Sequence, residues 1–414
     1  MVVIVNSQLR DHGGHLFHNT LALCRGLEQF GVKWLVIGNM DAKSECFSLT
    51  HFLPYFPRFV YEGLDGVGPG KVLPFLRRAV QCKALLLDLF GRQLQLAKGD
   101  LVLVHSPREF EFLGWTLFLR DHIELFCGKD VQVVLFTLTD YQQPPFLRSI
   151  FLREIFRFCL RTLRSLPVRV RVGTASALLK LELEKIGRLE IELFPDLAVG
   201  ITELPEVPPD DVVDVVYLGG ARYTKGFDLL VDAIEYLRTD ASFFRKTRFW
   251  IQSNVERGMR EELVRRALAK LLRLAAECDA VQIVQGPLPT EEYYRLVAQS
   301  DVIVLPYRSQ FYRRLVSGPF VEALIFGRVP VIPQGTWMAR EASKYGLEGL
   351  AFRPNSVTSL CQVLARVIAN LDVFRKKVKE ASAFWRQYHN AENFVRCLLP
   401  SASQLSRKKA EGEG

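Results

Sequence analysis

The chain has 414 residues, of which 49% are hydrophobic and 24% are charged, so it is long enough for two globular domains with separate cores. It contains no run of about 18 uncharged apolar residues, and its amino terminus lacks the basic and small-residue regions of a signal peptide. These features indicate a globular protein and exclude the membrane-spanning class. We therefore expect a cytoplasmic protein.

The cysteines and the charges exclude further classes. The eight cysteines are scattered and form no CxxC pair, which predicts reduced core residues and indicates neither a disulfide framework nor a zinc site. The net charge is +9, and seven arginines but only one acidic residue, Glu154, lie between Pro145 and Gly173. Because no basic patch is interleaved with aromatic residues, we do not expect nucleic-acid binding.

In the first half of the chain, apolar strand-like segments alternate with amphipathic helical segments, as in βαβ units on a parallel sheet. The predicted strands are Val2–Val5, Trp34–Ile37, Leu101–Val104, Val131–Leu135 and Val170–Gly173.

Polar residues and glycines follow three of these strands. Gly13 and Gly14 precede a predicted helix over Leu16–Phe30, and this glycine pair either wraps a ligand or only makes the turn. His105 and Asp140 also follow predicted strands, where parallel sheets bind ligands. For each of them, a structural role and a role at the ligand both remain open.

A basic amphipathic helix is predicted over Phe146–Leu166. Arg153, Arg157, Arg161 and Arg164 repeat at helical spacing, and Phe, Leu and Ile fill much of the remainder. Such a helix either lies on an anionic membrane surface, where lipid-linked acceptors reside, or is half-buried with solvated arginines.

The Pro- and acid-rich stretch Thr202–Asp211 predicts a linker, after which the alternation of strands and helices resumes. The second set of predicted strands is Val213–Leu218, Phe249–Gln252, Val281–Gln285, Val302–Leu305 and Val329–Ile332. The sequence thus predicts an α/β protein with two Rossmann-like parallel-sheet domains that face a central cleft. We predict domains over residues 1–201 and 213–374, a linker over 202–212 and a disordered tail over 401–414.

The segment Val215–Ile234 combines a strand, a glycine turn, two cations and an amphipathic helix. Gly219 and Gly220 permit close approach of a ligand to the backbone, while Arg222 and Lys225 can bind a diphosphate beside the start of a helix. The same spacing also fits an ordinary turn with two solvated cations.

A second loop carries Ser317 and Gly318, followed by Pro319, which is typical of a helix start with a capping hydroxyl. The amide groups at such a start can bind phosphate or sugar oxygens. We place Glu322 in the first turn of this helix, where it either accepts hydrogen bonds from a ribose diol or stabilises the helix dipole.

With these residues in view, the chain resembles the retaining GT-B fold glycosyltransferases of family 4. Leu218–Gly226 is similar to the family's Gly-Arg…Lys-Gly segment, whose cations hold the donor diphosphate. Gly286–Pro306 is similar to the stretch before the donor loop. Glu322–Val331 is similar to the family's Glu-Ala…Gly-x-Pro-Val segment, whose glutamate binds the nucleotide ribose.

The resemblance also implies roles for other parts of the chain. Gly13 and Gly14 match the glycine turn near the donor diphosphate, and Thr174–Ser176 matches the end of the first domain. A helix around Phe384–Leu398, within about 375–400, would return to the first domain and complete it.

The implied function is retaining, metal-independent transfer of a hexose from a nucleotide sugar to a glycan or lipid-linked acceptor, in bacterial polysaccharide or glycolipid synthesis. No cofactor is implied, since the nucleotide sugar is the substrate. By this resemblance Arg222, Lys225 and Glu322 are the catalytic candidates. The donor-binding candidates are Gly13, Gly14, Gly219, Gly220, Ser317, Gly318 and Glu322, and the acceptor-side candidates are His105 and Asp140.

Two departures from the family pattern bear on this function. The family has a second glutamate eight residues before the one matched by Glu322, and this chain has Arg314 there. In Thr137–Asp140, many relatives place a histidine before the aspartate. The first departure leaves open a catalytically inactive GT-B protein that acts as a binding or regulatory subunit. A nucleotide-sugar epimerase or a phosphorylase is a third alternative, which the Gly-Arg…Lys segment disfavours.

Overall fold

The computed structural model describes residues 1–10, 15–43, 46, 50–57, 72–142, 146–197, 203–206, 211–255, 260–286 and 288–399. The chain divides into two compact units. The first contains nearly all described residues up to Leu197 and again those from Asn390, and the second contains the residues in between. The predicted linker over 202–212 and the tail over 401–414 fall partly or wholly outside the described residues, so they stay predictions.

The first unit is built on a seven-stranded sheet whose strands are all parallel, in the order β3-β2-β1-β4-β5-β6-β7. Its strands are β1 (Val2–Val5), β2 (Trp34–Asn39), β3 (Phe52–Phe56), β4 (Leu101–His105), β5 (Gln132–Phe136), β6 (Arg169–Thr174) and β7 (Ile191–Leu193). The central strands are continuous apolar runs because both faces of a parallel sheet are covered.

Five helices accompany this sheet within the described part of the chain up to Leu197. They are α1 (His15–Gln29), α2 (Val72–Asp88), α3 (Glu109–Asp121), α4 (Phe146–Arg164) and α5 (Ala177–Gly187), with a π-helical turn at Leu89–Gln93 and a 3₁₀ turn at Ile123–Leu125. Most of α3 is buried, and its Trp115 and Phe118 pack with Phe90 and Phe126 in the core.

The second unit is built on a six-stranded sheet, again all parallel, in the order β10-β9-β8-β11-β12-β13. Its strands are β8 (Val213–Tyr217), β9 (Thr247–Gln252), β10 (Val281–Val284), β11 (Val302–Val304), β12 (Val329–Pro333) and β13 (Ala351–Phe352). This is the strand order of a Rossmann sheet. The two parallel sheets confirm the predicted α/β class.

The helical elements of the second unit follow the strands in alternation. They are a 3₁₀ turn at Tyr223–Lys225, α6 (Phe227–Leu237), α7 (Ala241–Phe244), α8 (Glu261–Glu277), α9 (Thr290–Gln299), α10 (Ser309–Tyr312), α11 (Gly318–Ile325), α12 (Trp337–Ser343), a 3₁₀ turn at Glu348–Leu350, α13 (Val357–Ala369) and α14 (Leu371–Tyr388). Among the described residues, no single helix has the length and hydropathy needed to cross a membrane; α13 and α14 meet that criterion only jointly, across an 88° bend.

The chain returns to the first unit through a last helix, α15 (Ala391–Leu398). The sequence predicted one helix around Phe384–Leu398, but α14 ends at Tyr388 and the side chain of Asn390 starts a new helix by accepting a 2.8 Å hydrogen bond from the Asn393 amide. Phe394 packs on Phe136 and Phe194, at ring-centroid distances of 5.3 and 5.0 Å.

Three strands escaped prediction: β3, β7 and β13. β3 contains Pro54 and lies at the edge of its sheet, where proline is tolerated. β7 and β13 are edge strands of three and two residues, too short to show a pattern.

Candidate donor site in the second unit

The candidate site lies where the strand order of the second sheet reverses, between β8 and β11. From these adjacent strands the chain continues toward opposite sides of the sheet, which opens a space at their carboxyl ends. The loop after β8 carries the predicted glycines and cations, and the loop after β11 runs through Pro306 to Arg308. The Arg308 amide donates a 3.0 Å hydrogen bond to the Thr224 carbonyl, so the two loops are in direct contact.

Gly226 determines how closely the two loops approach. Its φ is +66°, and a Cβ atom there would lie 1.8 Å from the Pro306 carbonyl oxygen. The Arg308 guanidinium lies 3.9 Å from the centroid of the Tyr223 ring and donates a 2.6 Å hydrogen bond to Asp228. Backbone contact and stacking therefore fix the position of the intervening Lys225.

Lys225 is the most perturbed cation of the site. Its half-buried side chain places Nζ 5.8 Å from the centroid of the Tyr307 ring, and a Cβ atom at Gly219 would lie only 2.5 Å from Nζ. Burial, with a further contribution from the positive charge of Arg222, lowers the pKa of Lys225 to about 7, although Glu322 opposes the shift. An anion bound here would favour the charged form of the lysine.

The predicted glycines are both present at this point, but their backbone is engaged within the protein. The Gly219 amide donates a 2.6 Å hydrogen bond to Gln252 Oε1, and the Gly220 carbonyl accepts a 3.1 Å hydrogen bond from the Tyr217 hydroxyl. Gly219, at φ +106°, leaves space for Lys225 Nζ. Arg222 is exposed at the start of the 3₁₀ turn, and its charge lowers the pKa of Lys225.

Ser317 precedes α11 as predicted, but the predicted capping hydrogen bond is absent and that expectation is wrong. Pro319 has no N–H, and the Phe320 and Val321 amides donate to the Ser317 carbonyl, so the amides that usually donate to a capping hydroxyl are missing or engaged. The Ser317 hydroxyl is buried beside that of Tyr307, outside ordinary hydrogen-bond geometry. Among the described residues, the Gly318 amide has no backbone partner.

Glu322 lies in the second turn of α11, not in the first turn as predicted, because the helix begins at Gly318. Its distance from the helix start weakens the alternative of a helix-dipole carboxylate. Glu322 is buried and accepts hydrogen bonds from the hydroxyls of Tyr293 and Tyr294 on α9, the latter at 3.5 Å. Burial and the carboxylate raise the pKa of Tyr293, which keeps its hydroxyl a donor.

Four tyrosines of the site were missed by the sequence analysis: Tyr307 and Tyr312 beside the cations, and Tyr293 and Tyr294 at Glu322. The rings of Tyr307 and Tyr312 lie 4.4 Å apart, and burial raises the pKa of Tyr312 to about 12 despite the charge of Arg222. The adjacent tyrosines 293 and 294 in an otherwise amphipathic helix were the available signal. Arg314, the departure from the family pattern, is buried at 7% exposure in the same loop.

At the corresponding edge of the first sheet, His105 is buried at the end of β4. Its ring packs 5.5 Å from that of Phe136, and neither ring nitrogen has a hydrogen-bond partner among the described residues. Burial lowers the pKa of His105 to about 4, so the ring is neutral at pH 7. The Oδ1 of Asn6 and the hydroxyl of Ser106 are likewise buried without a described partner.

The remaining predicted residues have different outcomes. Asp140 is buried and accepts a 2.9 Å hydrogen bond from the Gln142 amide, which closes an Asx turn and favours a structural role. Gly13 and Gly14 lie outside the described residues. Within the described ranges, no group of three or more His, Cys, Asp or Glu residues is arranged to hold a metal ion.

Comparison with known proteins finds a family match for part of the second unit. Residues 213–370, which contain the β8 and β11 loops and Glu322, match the family described as glycosyl transferases group 1. The chain has the GT-B fold, and this part of its second unit is similar to group 1 glycosyltransferases. This confirms the resemblance to GT-B fold, group 1 glycosyltransferases, whereas family 4 and the retaining mechanism stay predictions. No curated protein sequence matches the chain at a significant level.

Solved structures of GT-B proteins match nearly the whole chain at low identity. A glycosyltransferase from Rickettsia africae matches with a TM-score of 0.64 and 13% identity, covering 97% of both chains. The trehalose-6-phosphate protein from E. coli, bound with UDP-2-fluoro glucose, matches with a TM-score of 0.67 and 15% identity, covering 97% of this chain and 99% of its own. Sucrose-phosphate synthase from Thermosynechococcus elongatus matches with a TM-score of 0.63, 14% identity and 99% coverage of both. Identities this low establish the GT-B fold alone.

Proposed function

We propose that this GT-B protein transfers a hexose from a nucleotide-sugar donor to a glycan or lipid-linked acceptor. The observation that carries the proposal is the pair Arg222 and Lys225 at the strand-order reversal of a domain that matches group 1 glycosyltransferases. Two cations in a partly buried site suit a diphosphate, whose negative charge increases as the bond to the sugar breaks.

The donor occupies the second unit in this proposal. Lys225 and Arg222 neutralise the leaving diphosphate, and the Gly318 amide hydrogen-bonds a phosphate or sugar oxygen. The buried carboxylate of Glu322 receives the ribose hydroxyls, either beside Tyr293 and Tyr294 or in place of one of them. The donor bound in the E. coli neighbour, a UDP-linked fluoro sugar, makes UDP-hexoses the first candidates.

We further propose that the transfer retains the anomeric configuration and needs no metal ion, as in family 4. Arg222 and Lys225 then supply the positive charge that a divalent ion would otherwise supply at the diphosphate. An oxygen of the leaving phosphate takes the proton of the acceptor hydroxyl as the new glycosidic bond forms, so the protein needs no dedicated base. His105 orients the acceptor through a neutral ring nitrogen, since its lowered pKa precludes an imidazolium at pH 7.

The proposed setting is bacterial polysaccharide or glycolipid synthesis in the cytoplasm or at the inner face of the cell membrane. A lipid-linked acceptor fits the basic helix α4, whose exposed Arg153 and Arg161 have no ion-pair partner among the described residues. A glycan acceptor would not require this helix.

The first experiment is thermal stabilisation by UDP-, GDP-, ADP- and dTDP-linked sugars, followed by nucleotide release with any hit. A donor present at about a hundred times its Kd should stabilise the protein by about 2.7 kcal/mol, a shift of several degrees. Glu322→Ala should weaken stabilisation and release, whereas Glu341→Ala, which removes a carboxylate paired with Lys344 elsewhere in the unit, should weaken neither. No stabilisation by any donor would contradict the proposal.

The second candidate is a GT-B protein that binds a donor without turning it over, and the buried Arg314 favours it. An arginine cannot accept the sugar hydroxyls that a carboxylate accepts at this position. Donor-induced stabilisation without nucleotide release would support this candidate. If the Arg314→Glu variant then releases nucleotide, Arg314 is the cause of the inactivity of the wild type.

A further inference from the structure

Helix α2 carries two apolar stripes, although a helix on a soluble domain ordinarily has one. The first stripe, Phe75, Ala79, Cys82 and Leu86, is buried in the core. The second repeats at the same three- and four-residue spacing but is exposed: Leu73, Leu76, Val80, Ala84 and Leu87. Leu73 is 70% exposed and Val80 58%. The core of the first unit explains the first stripe and leaves the second without a role.

Helix α4 begins with a matching exposed apolar group. Phe146, Leu147 and Ile150 are 76%, 63% and 44% exposed. Farther along this helix Arg153 and Arg161 are exposed, and Phe158 is 40% exposed. Leu73, Leu76 and Val80 of α2, together with Phe146, Leu147 and Ile150 of α4, are called here the α2–α4 face.

The beginnings of the two helices are joined by aromatic contacts. The ring of Phe75 on α2 lies 5.2 Å from that of Phe151 on α4 and 6.5 Å from that of Phe110 on α3. Arg148 also donates a 2.8 Å hydrogen bond to Glu109 at the start of α3. Because α3 starts directly after β4, the α2–α4 face lies at the carboxyl edge of the first sheet, the edge that carries His105.

The charges on and beside the α2–α4 face are positive and available. Arg77, Arg153 and Arg161 form no ion pair with any residue of the described ranges. The one acidic residue on α4, Glu154, is paired with Arg157. Bulky apolar side chains flanked by unpaired arginines match an anionic lipid surface, which accepts the former among its acyl chains and attracts the latter to its headgroups.

We infer that the α2–α4 face is a docking surface for an anionic lipid membrane, and that it holds the carboxyl edge of the first sheet, with His105, next to that membrane. The inference deepens the membrane setting of the proposed function and rests on it in that respect, but it does not need the transfer reaction itself. It also revises the membrane surface predicted for residues 146–166, because α2 contributes half of the apolar side chains of the face. The second half of α4 contributes arginines and one exposed apolar side chain, Phe158.

The test measures binding of the full-length protein to vesicles by flotation. The vesicles contain phosphatidylcholine alone or with about 30% phosphatidylglycerol, each at low and high salt. We expect binding to the anionic vesicles at low salt, weaker binding to them at high salt, and little binding to phosphatidylcholine alone.

Two double variants separate the apolar and the charged contributions. Leu73→Ser with Leu147→Ser and, separately, Arg77→Glu with Arg153→Glu should each lower the partition coefficient about tenfold or more. Leu181→Ser is the matched control for the first, since Leu181 on α5 of the same unit is 61% exposed. Arg266→Glu, at an exposed arginine of α8 in the second unit, is the control for the second. Both controls should bind like the wild type.

Absence of binding at low salt, or wild-type binding by both double variants, would overturn the inference. A dimer that the Leu73/Leu147 variant converts to monomer, without vesicle binding, would replace the membrane by a second copy of the chain. Thermal melting of each variant checks that it folds. Donor-induced stabilisation measured in parallel separates a failure of this surface from a failure of the proposed function, because none of these residues lies at the donor site.

Discussion

The two units share one topology but differ in what they place at the reversal of strand order. At β8 and β11 the second unit gathers Arg222, Lys225 and hydroxyls of buried tyrosines. At β1 and β4 the first unit gathers three uncharged groups that are buried without a described partner: the Oδ1 of Asn6, the ring of His105 and the hydroxyl of Ser106. The buried carboxyl group of Glu111 lies beside them and accepts hydrogen bonds from the Ser7 hydroxyl and the Arg108 amide. The same fold thus places two cations at one edge and mainly uncharged polar groups, with one buried carboxyl group, at the other. The topology of each sheet determines where its ligand site lies, and the side chains of the loops determine the charge of that site.

The largest effect should come from removing the perturbed cation of the second unit. Lys225→Met should lower kcat/KM for nucleotide release about 10²- to 10³-fold, because the leaving diphosphate loses a partly buried positive charge. Steady-state kinetics with the best donor would measure it. Lys344→Met, at an exposed lysine of the same unit, should remain near the wild-type rate. Equal losses in both variants would remove the special role of Lys225.

The next effect concerns the contact between the two loops of the second unit. Gly226 and Gly346 share a φ of +66°, but a Cβ atom at Gly346 has nothing within 4 Å, whereas at Gly226 it would overlap the Pro306 carbonyl. Gly346→Ala should cost about 1–2 kcal/mol of unfolding free energy from backbone strain alone. Gly226→Ala should cost at least about 2 kcal/mol more, because the Pro306 backbone must move. Urea denaturation compares them, and equal costs would contradict the close approach.

The pH dependence of donor binding should distinguish the charged edge from the neutral one. The pKa of Lys225 is about 7 without ligand, and a bound diphosphate raises it by favouring the ammonium. Donor affinity should therefore fall as pH rises above 7, by up to about tenfold per pH unit. Calorimetric titration at several pH values measures this fall. Lys225→Arg should flatten the profile, since arginine stays charged. A flat wild-type profile would show that Lys225 is not titrating.

The smallest effect is expected at the neutral edge. His105→Phe removes two buried ring nitrogens that lack partners, so the variant should be about 1 kcal/mol more stable at pH 7. The folded-state pKa of about 4 lies below the ordinary 6.5, so the wild type loses stability as pH falls from about 6.5 toward 4. The advantage of the variant should thus grow by about 2 kcal/mol at pH 5.

The His105→Phe substitution should lower the activity of the protein although it raises its stability. If His105 orients the acceptor, the Phe variant should lose acceptor-dependent nucleotide release while keeping donor binding. Urea denaturation at pH 7 and pH 5, with release assays in parallel, tests both parts. A variant that is both more stable and fully active would leave His105 a core residue only.

The sequence was sufficient to predict the two parallel sheets and to locate Arg222 and Lys225 in the loop after β8, because apolar runs and residue spacing are local patterns. That these cations bind a diphosphate stays a prediction. The sequence did not predict that the tyrosines belong to the site, because Tyr293 contacts Glu322 only when α9 packs on α11. The capping error at Ser317 has a similar cause: the hydroxyl competes with the Ser317 carbonyl for the amides of Phe320 and Val321, and a residue pattern does not show that competition.

The return of α15 to the first unit has a consequence for synthesis of the chain on the ribosome. Phe394 completes the packing of Phe136 and Phe194, Arg171 donates hydrogen bonds to the carbonyls of Cys397 and Leu398, and Ala391 fits against Gly26 on α1. The domain translated first therefore finishes its core last, after the whole second domain has emerged. A nascent chain released before residue 391 would leave Phe136 and Phe194 exposed. Chaperones and proteases recognise exposed apolar side chains, so we expect such incomplete chains to be degraded.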